Sequence, residues 1–220
     1  LSRVRGDLKE SKSYFLEALE KNREADNPGV EGVILGNLGN LYFDQGDMDR
    51  AIEYYRQAME LNREVGDRRS EGIALGNLGN PYMSKGDLEQ ALKYYRQSLE
   101  LHREIGNRRS EGVTLSNLGT LYFDHGRYDE ALDCNLKALE IHREIGNRRM
   151  EAITLASMAS LSMQSGSVEE ALELYLETVG IIEDLGLSES GFDRLSELRK
   201  ELIASGLSEA RVPWPSRWPE

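Results

Sequence analysis

Residues 31–70 read EGVILGNLGNLYFDQGDMDRAIEYYRQAMELNREVGDRRS, and residues 71–110 read EGIALGNLGNPYMSKGDLEQALKYYRQSLELHREIGNRRS. Aligned without a gap, they are identical at 24 of 40 positions. A fixed period of this size marks a repeat architecture, and it decides the fold before local propensities are weighed. Further copies occupy 111–150 and 151–190, the last more diverged. GDLKESKSYFLEALEKNREADN at 6–27 matches the second half of the unit, so 1–30 is read as a partial first repeat, either because the chain is a piece of a longer protein or because its first repeat is naturally short.

Each unit reads as two helices. The first is expected over about 29–45, 68–85, 108–125 and 148–165; the second ends near 65, 105, 145 and 185. Gly46, Gly86, Gly126 and Gly166 stand where a helix C-terminus favours glycine. Asp47 and Asp87 follow as N-caps. Met48, Ala51, Ile52, Tyr55, Ala58, Met59, Leu61 and Val65 give the second helix an apolar stripe of helical period. Pairs that cannot bury this stripe alone must stack on their neighbours. The first helix carries the paradox of the sequence, LGNLGN, with residues that cost a helix up to about 1 kcal/mol each relative to alanine. Pro81 follows the second copy and is expected to disturb its helix.

These residues resemble the tetratricopeptide repeat family. Leu35, Leu38-Gly39, Tyr42, Gly46, Ala51, Tyr55 and Ala58 carry the pattern, and Leu75, Leu78-Gly79, Tyr82, Gly86, Ala91, Tyr95 and Ser98 repeat it. The third copy has Asn135 in place of the second-helix aromatic, and the fourth has Ser162 in place of the first-helix tyrosine. The 40-residue period is longer than the common unit, and Arg63, Arg103 and Arg143 stand where that unit usually has proline. Long units of this kind are similar to those of partner-of-inscuteable scaffolds and kinesin light chains. The resemblance implies an all-α, right-handed solenoid of helix-turn-helix units whose first helices line a concave groove for a peptide. Family members that grip chaperone tails use lysines on this face. Here Gly36, Gly76, Ser116 and Ala156 occupy those places, which argues against that use.

The windows 32–43, 72–83, 112–123 and 152–163 contain no charged side chain, in a chain that is 30% charged. Enclosure explains the missing charge but not the asparagines, which offer donors and an acceptor. The candidate peptide-binding set is therefore Asn37, Asn40, Asn77, Asn80, Asn117 and Thr120, with Gly36 and Gly76 leaving room and Phe43, Met83 and Phe123 beside them. Arg69, Arg109 and Arg149 are expected at the groove rim, the RR pairs either meeting an acidic ligand or pairing with Glu64/Glu71, Glu104/Glu111 and Glu144/Glu151.

Other functions lack support. Acidic residues outnumber basic ones by 39 to 27, the wrong balance for nonspecific nucleic-acid binding. No apolar run reaches membrane-spanning length. Cys134 is the only cysteine, which fits a reducing, cytoplasmic setting. His102 and His142 recur with the period but have no further ligands for a metal. No catalytic motif or cofactor fingerprint occurs. The expectation is a noncatalytic protein-binding scaffold. The alternatives are end-to-end self-association through Leu1 and Val4, or the sensing arm of a larger regulatory enzyme. Residues 191–206 read as one capping helix, and 207–220 as a disordered Pro/Trp tail unless Trp214 and Trp218 dock.

Overall fold

The computed structural model describes residues 2–25, 27–188, 192–216 and 218, with side chains from Lys12 onward except Asp193. Leu1 and the side chain of Val4 lie outside the described residues. The elements are α1 (Ser2–Glu24), α2 (Pro28–Asp44), α3 (Met48–Glu64), α4 (Arg68–Ser84), α5 (Leu88–Glu104), α6 (Arg108–Asp124), α7 (Tyr128–Glu144), α8 (Arg148–Gln164), α9 (Val168–Leu185) and α10 (Asp193–Ala204). A short 3₁₀ turn covers Glu209–Arg211. No strand occurs among the described residues. The fold is an all-α repeat of helix pairs: α2–α3 packs on α4–α5 in unit 1, and α8–α9 packs on α7 in unit 2.

The period has a simple origin. Helices α2 to α8 are 17 residues long, and three residues separate each from the next. Two such steps make 40. The middle residue of each connection is a glycine with positive φ, from Gly46 (φ 78°) and Gly66 (φ 74°) to Gly166 (φ 79°). That conformation costs glycine no steric penalty. At the first connection Gly46 N donates to Phe43 O and Asp47 N to Tyr42 O, both at 2.9 Å, which closes the C-terminus of α2. Asp47 then opens α3 by accepting from Arg50 N at 3.2 Å. Asp67 and Asp87 repeat this at 2.9 and 3.1 Å. Arg127 and Ser167 occupy the same place without a side-chain cap bond.

The chain divides into two compact units, residues 1–114 and 115–220, with the boundary inside α6. In unit 1, Leu35, Leu38, Tyr42, Tyr55, Leu75 and Leu78 are buried in one cluster. Tyr42 stacks on Tyr54, and Tyr82 on Tyr94, with ring centroids 5.3 and 5.5 Å apart. Each such side chain contributes about 1.5–3 kcal/mol of burial. α4 continues through the buried Pro81, whose carbonyl accepts from Lys85 N at 3.0 Å. Packing between α3 and α5 holds the helix where the local sequence alone would disturb it.

In unit 2 the core runs from Leu155, Tyr175, Val179 and Ile182 into α10 and the tail. Described residues of the tail contact partners that the repeat and α10 provide. Tyr175 OH donates to Pro213 O at 2.5 Å, Arg199 Nε to Val212 O at 3.0 Å, and Trp218 Nε1 to Leu187 O at 2.7 Å. Val212 and Trp218 are buried.

Candidate functional site

LGNLGN divides into residues that face different neighbours. Leu35 and Leu38 enter the core. A Cβ on Gly39 would lie 2.5 Å from the Tyr55 ring, so the missing side chain is the room this ring uses. The same holds for Gly79 and Tyr95 at 2.4 Å. With the ring seated, Tyr55 OH reaches Asn40 Oδ1 at 2.7 Å, and Tyr95 OH reaches Asn80 Oδ1 at 2.7 Å. Burial pushes both phenols far above their ordinary pKa, which keeps them protonated donors. The third pair has Asn135 facing Gly119 instead, with its Oδ1 buried and unpartnered. In the fourth, Tyr175 meets no asparagine and turns to the tail.

On the unit 1 face, Gly32, Val33, Gly36, Asn37, Asn40, Ser70, Ile73 and Asn77 are among the residues lining a cavity of about 180 Å³. Val33 is 54% exposed and Ile73 42%, a large apolar exposure beside polar amides. A Cβ on Gly36 would meet nothing within 4 Å, so that position is open. Gly76 is different: a Cβ there would stand 3.1 Å from Ser98 Oγ. Its smallness is therefore used at least partly in packing, because Ser98 replaces the smaller Ala58 of the preceding pair. Phe43 and Met83 are half-buried at the end of the same face.

The arginines separate by register. Glu71 is 3% exposed and is held by Arg63 Nε at 2.8 Å and Arg68 Nη1 at 3.0 Å. Glu111 is held by Arg103 and Arg108 at 2.9 and 2.7 Å, and Glu151 by Arg143 and Arg148 at the same distances. The arginines in place of the usual proline thus bind a buried carboxylate of the next pair. Desolvation pushes the Glu111 carboxyl up, but its two guanidinium partners together leave it below the ordinary value. The second arginine of each RR sequence is not in this clamp. Arg69 and Arg109 are exposed and form no ion pair among the described residues. Arg149 lies over the Phe192 ring, 5.8 Å from its centroid.

Phe192 belongs to a contact that sequence reasoning missed. Phe192, Arg194 and Leu195, at the start of α10, line a 260 Å³ cavity with Thr120, Ile153, Ala156 and Ser157. Arg194 pairs with Asp124 and lies 4.8 Å from the Phe123 centroid. The structure therefore brings Thr120, Phe123 and Arg149 of the candidate set to one place, and that place is occupied by the chain's own C-terminal segment. Asn117 is half-buried on the same helix as Thr120. The only sequence signal was the aromatic residue before an amphipathic helix.

Asn62, His102 and His142 occupy equivalent positions, all buried, each with an unpartnered polar atom. A Cβ on Gly72 would lie 2.6 Å from the His102 ring. Desolvation lowers the His102 pKa with help from Arg69 and against Glu111; desolvation lowers that of His142 against Glu151. Among the described residues no group of three or more His, Cys, Asp or Glu side chains could hold a metal, and no helix is long and apolar enough to cross a membrane. Cys134 is buried.

The tetratricopeptide repeat family model matches residues 1–64, 30–104 and 70–144. The chain belongs to the tetratricopeptide repeat family. No curated protein sequence matches it significantly. Several solved tetratricopeptide-like structures share the fold. BtubC (BKLC) from P. vanneervenii has a TM-score of 0.69 at 22% identity, covering 99% of this chain and 81% of that one. Aspartyl phosphate phosphatase F from Bacillus subtilis has a TM-score of 0.82 at 14% identity, covering 96% and 56%. A signal transduction ATPase with a tetratricopeptide repeat sensor, from Pyrococcus horikoshii, has a TM-score of 0.72 at 18% identity, covering 93% and 32%. This chain thus spans about half of the phosphatase and a third of the ATPase.

Proposed function

We propose that this tetratricopeptide repeat chain is a noncatalytic protein-binding scaffold whose first-helix face receives a segment of a partner protein. One observation carries the reading: exposed Val33 and Ile73 flank a cavity lined by Asn37, Asn40 and Asn77, with no charged side chain in its lining. Exposed apolar surface beside convergent polar groups is what a recognition site needs. Asn40 is exposed, and its only engaged group among the described residues is the carbonyl oxygen. The similar ATPase from Pyrococcus horikoshii carries its repeats as a sensor, which favours as second reading a sensing arm of a larger regulatory protein.

Selection of binders from a displayed peptide library on the full chain, followed by hydrogen-exchange mapping, tests the groove. Protection is expected within 33–43 and 73–83. Selected segments that protect only the outward surfaces of α3 and α5 would refute it. Sedimentation over a wide concentration range tests the self-association alternative: a chain that stays monomeric excludes it.

A further inference from the structure

We propose that the α2/α4 face of unit 1 is a docking site for a partner helix that opens with an aromatic residue, an arginine two positions on, and a leucine next to it. This deepens the groove reading above and rests on it. Unit 2 supplies the template. There Phe192 lies under the Arg149 guanidinium, Arg194 pairs with Asp124 over the Phe123 ring, and Leu195 is fully buried beside the cavity shared with Ile153.

The repeat register carries these receptor residues 80 positions upstream. Phe123, Asp124, Arg149 and Ile153 correspond to Phe43, Asp44, Arg69 and Ile73, identical at all four places. The intermediate copy is incomplete, because Met83 and Ser84 replace the phenylalanine and the aspartate. The full set thus occurs twice. In unit 2 it is filled from within the chain. In unit 1 Asp44 and Arg69 are exposed and make no ion pair among the described residues, and Ile73 is 42% exposed.

The chemistry of the occupant follows. Asp44 takes the arginine, as Asp124 does. Arg69 takes the aromatic ring by a cation–π contact, as Arg149 does. Ile73 receives the leucine. A net charge of −12 also favours a partner that brings positive charge. An acidic ligand meeting an arginine row is therefore not the chemistry this face selects. Asn40 and Asn77 stand where unit 2 has Thr120 and Ser157, and add hydrogen-bonding capacity for the partner backbone.

The test uses the full chain and a fluorescently labelled synthetic peptide of residues 190–206. The chain's only tryptophans, Trp214 and Trp218, lie outside that peptide and report independently on the segment docked in unit 2. Saturable binding of one peptide per chain is expected, with tryptophan emission unchanged. Asp44→Arg and Arg69→Glu, both on exposed side chains, should each weaken binding about tenfold. Arg194→Glu in the peptide should abolish binding to the parent chain and restore it to the Asp44→Arg chain. No binding, binding indifferent to Asp44→Arg, or a tryptophan shift showing exchange into unit 2 would each overturn the proposal. If library-selected segments protect α2 and α4 but this peptide fails, only the present inference falls. If they protect the outward surfaces, the groove reading falls with it.

Discussion

The ring of Tyr55 lies against the bare Cα of Gly39, where an added Cβ would come within 2.5 Å. Tyr55 is fully buried and has no room to retreat. Gly39→Ala should therefore destabilise the chain by about 1–3 kcal/mol, the overpacking cost exceeding the helix propensity gained. Gly36→Ala, three residues away, meets nothing within 4 Å and should stabilise by about 0.5–1 kcal/mol. Urea unfolding of the two variants checks the opposite signs. Equal effects would contradict this division of the motif.

The Tyr55–Asn40 bond ties exposed Asn40, a candidate groove residue, to the core. Asn40→Ala leaves a buried hydroxyl without its acceptor and should cost about 1–3 kcal/mol. On a Tyr55→Phe background the same substitution should cost much less, since no donor remains to be orphaned. A double-mutant cycle by chemical denaturation measures this coupling. Loss of partner binding in Asn40→Ala should accordingly be compared with the double variant, to separate ligand contact from lost stability.

Repeat length, helix pairs, turn glycines and aspartate caps were legible because each is a local property, repeated in register. The division of LGNLGN into packing and open positions was legible for Gly39 and only half so for Gly76, whose neighbour Ser98 comes from another helix. The arginine register was within reach of helical geometry. Arg68 stands three residues before Glu71 and shares its face, whereas Arg69 stands two before and does not. The C-terminal helix was legible as a cap, but the residues it docks on were not. Its contacts span up to 70 positions, as between Arg194 and Asp124, and follow no period.

The carboxylate clamps predict a stability effect at half-exposed arginines. Glu111 is buried between Arg103 and Arg108, so Arg103→Ala removes a charged partner without exposing the acid. A loss of about 1–3 kcal/mol is expected. Arg103→Ala combined with Glu111→Gln should recover part of it, because the buried charge is gone too. Lys21→Ala, which breaks an exposed pair with Glu17, should leave stability essentially unchanged. Denaturation at low and high salt separates the two: the clamp variant's deficit should be nearly insensitive to salt.

His102 and His142 predict how stability depends on pH. Burial holds both imidazoles below the ordinary value of 6.5, so the unfolded chain binds protons that the folded chain refuses. Stability is full above about pH 6.5 and must fall as pH drops below it, since each proton taken up favours the unfolded state. Protonating His102 would also place a cation near Arg69, with Glu111 already committed to two arginines. Glu111 titrates below its ordinary 4.5, so the decline between about pH 6.5 and 5 belongs mainly to the histidines. His102→Asn, which installs the residue that position 62 already uses, should flatten that slope by about half, and adding His142→Asn should remove most of the rest. Urea midpoints at pH 8, 6.5, 5.5 and 5 measure it; a parent chain as stable at pH 5 as at pH 8 would refute it.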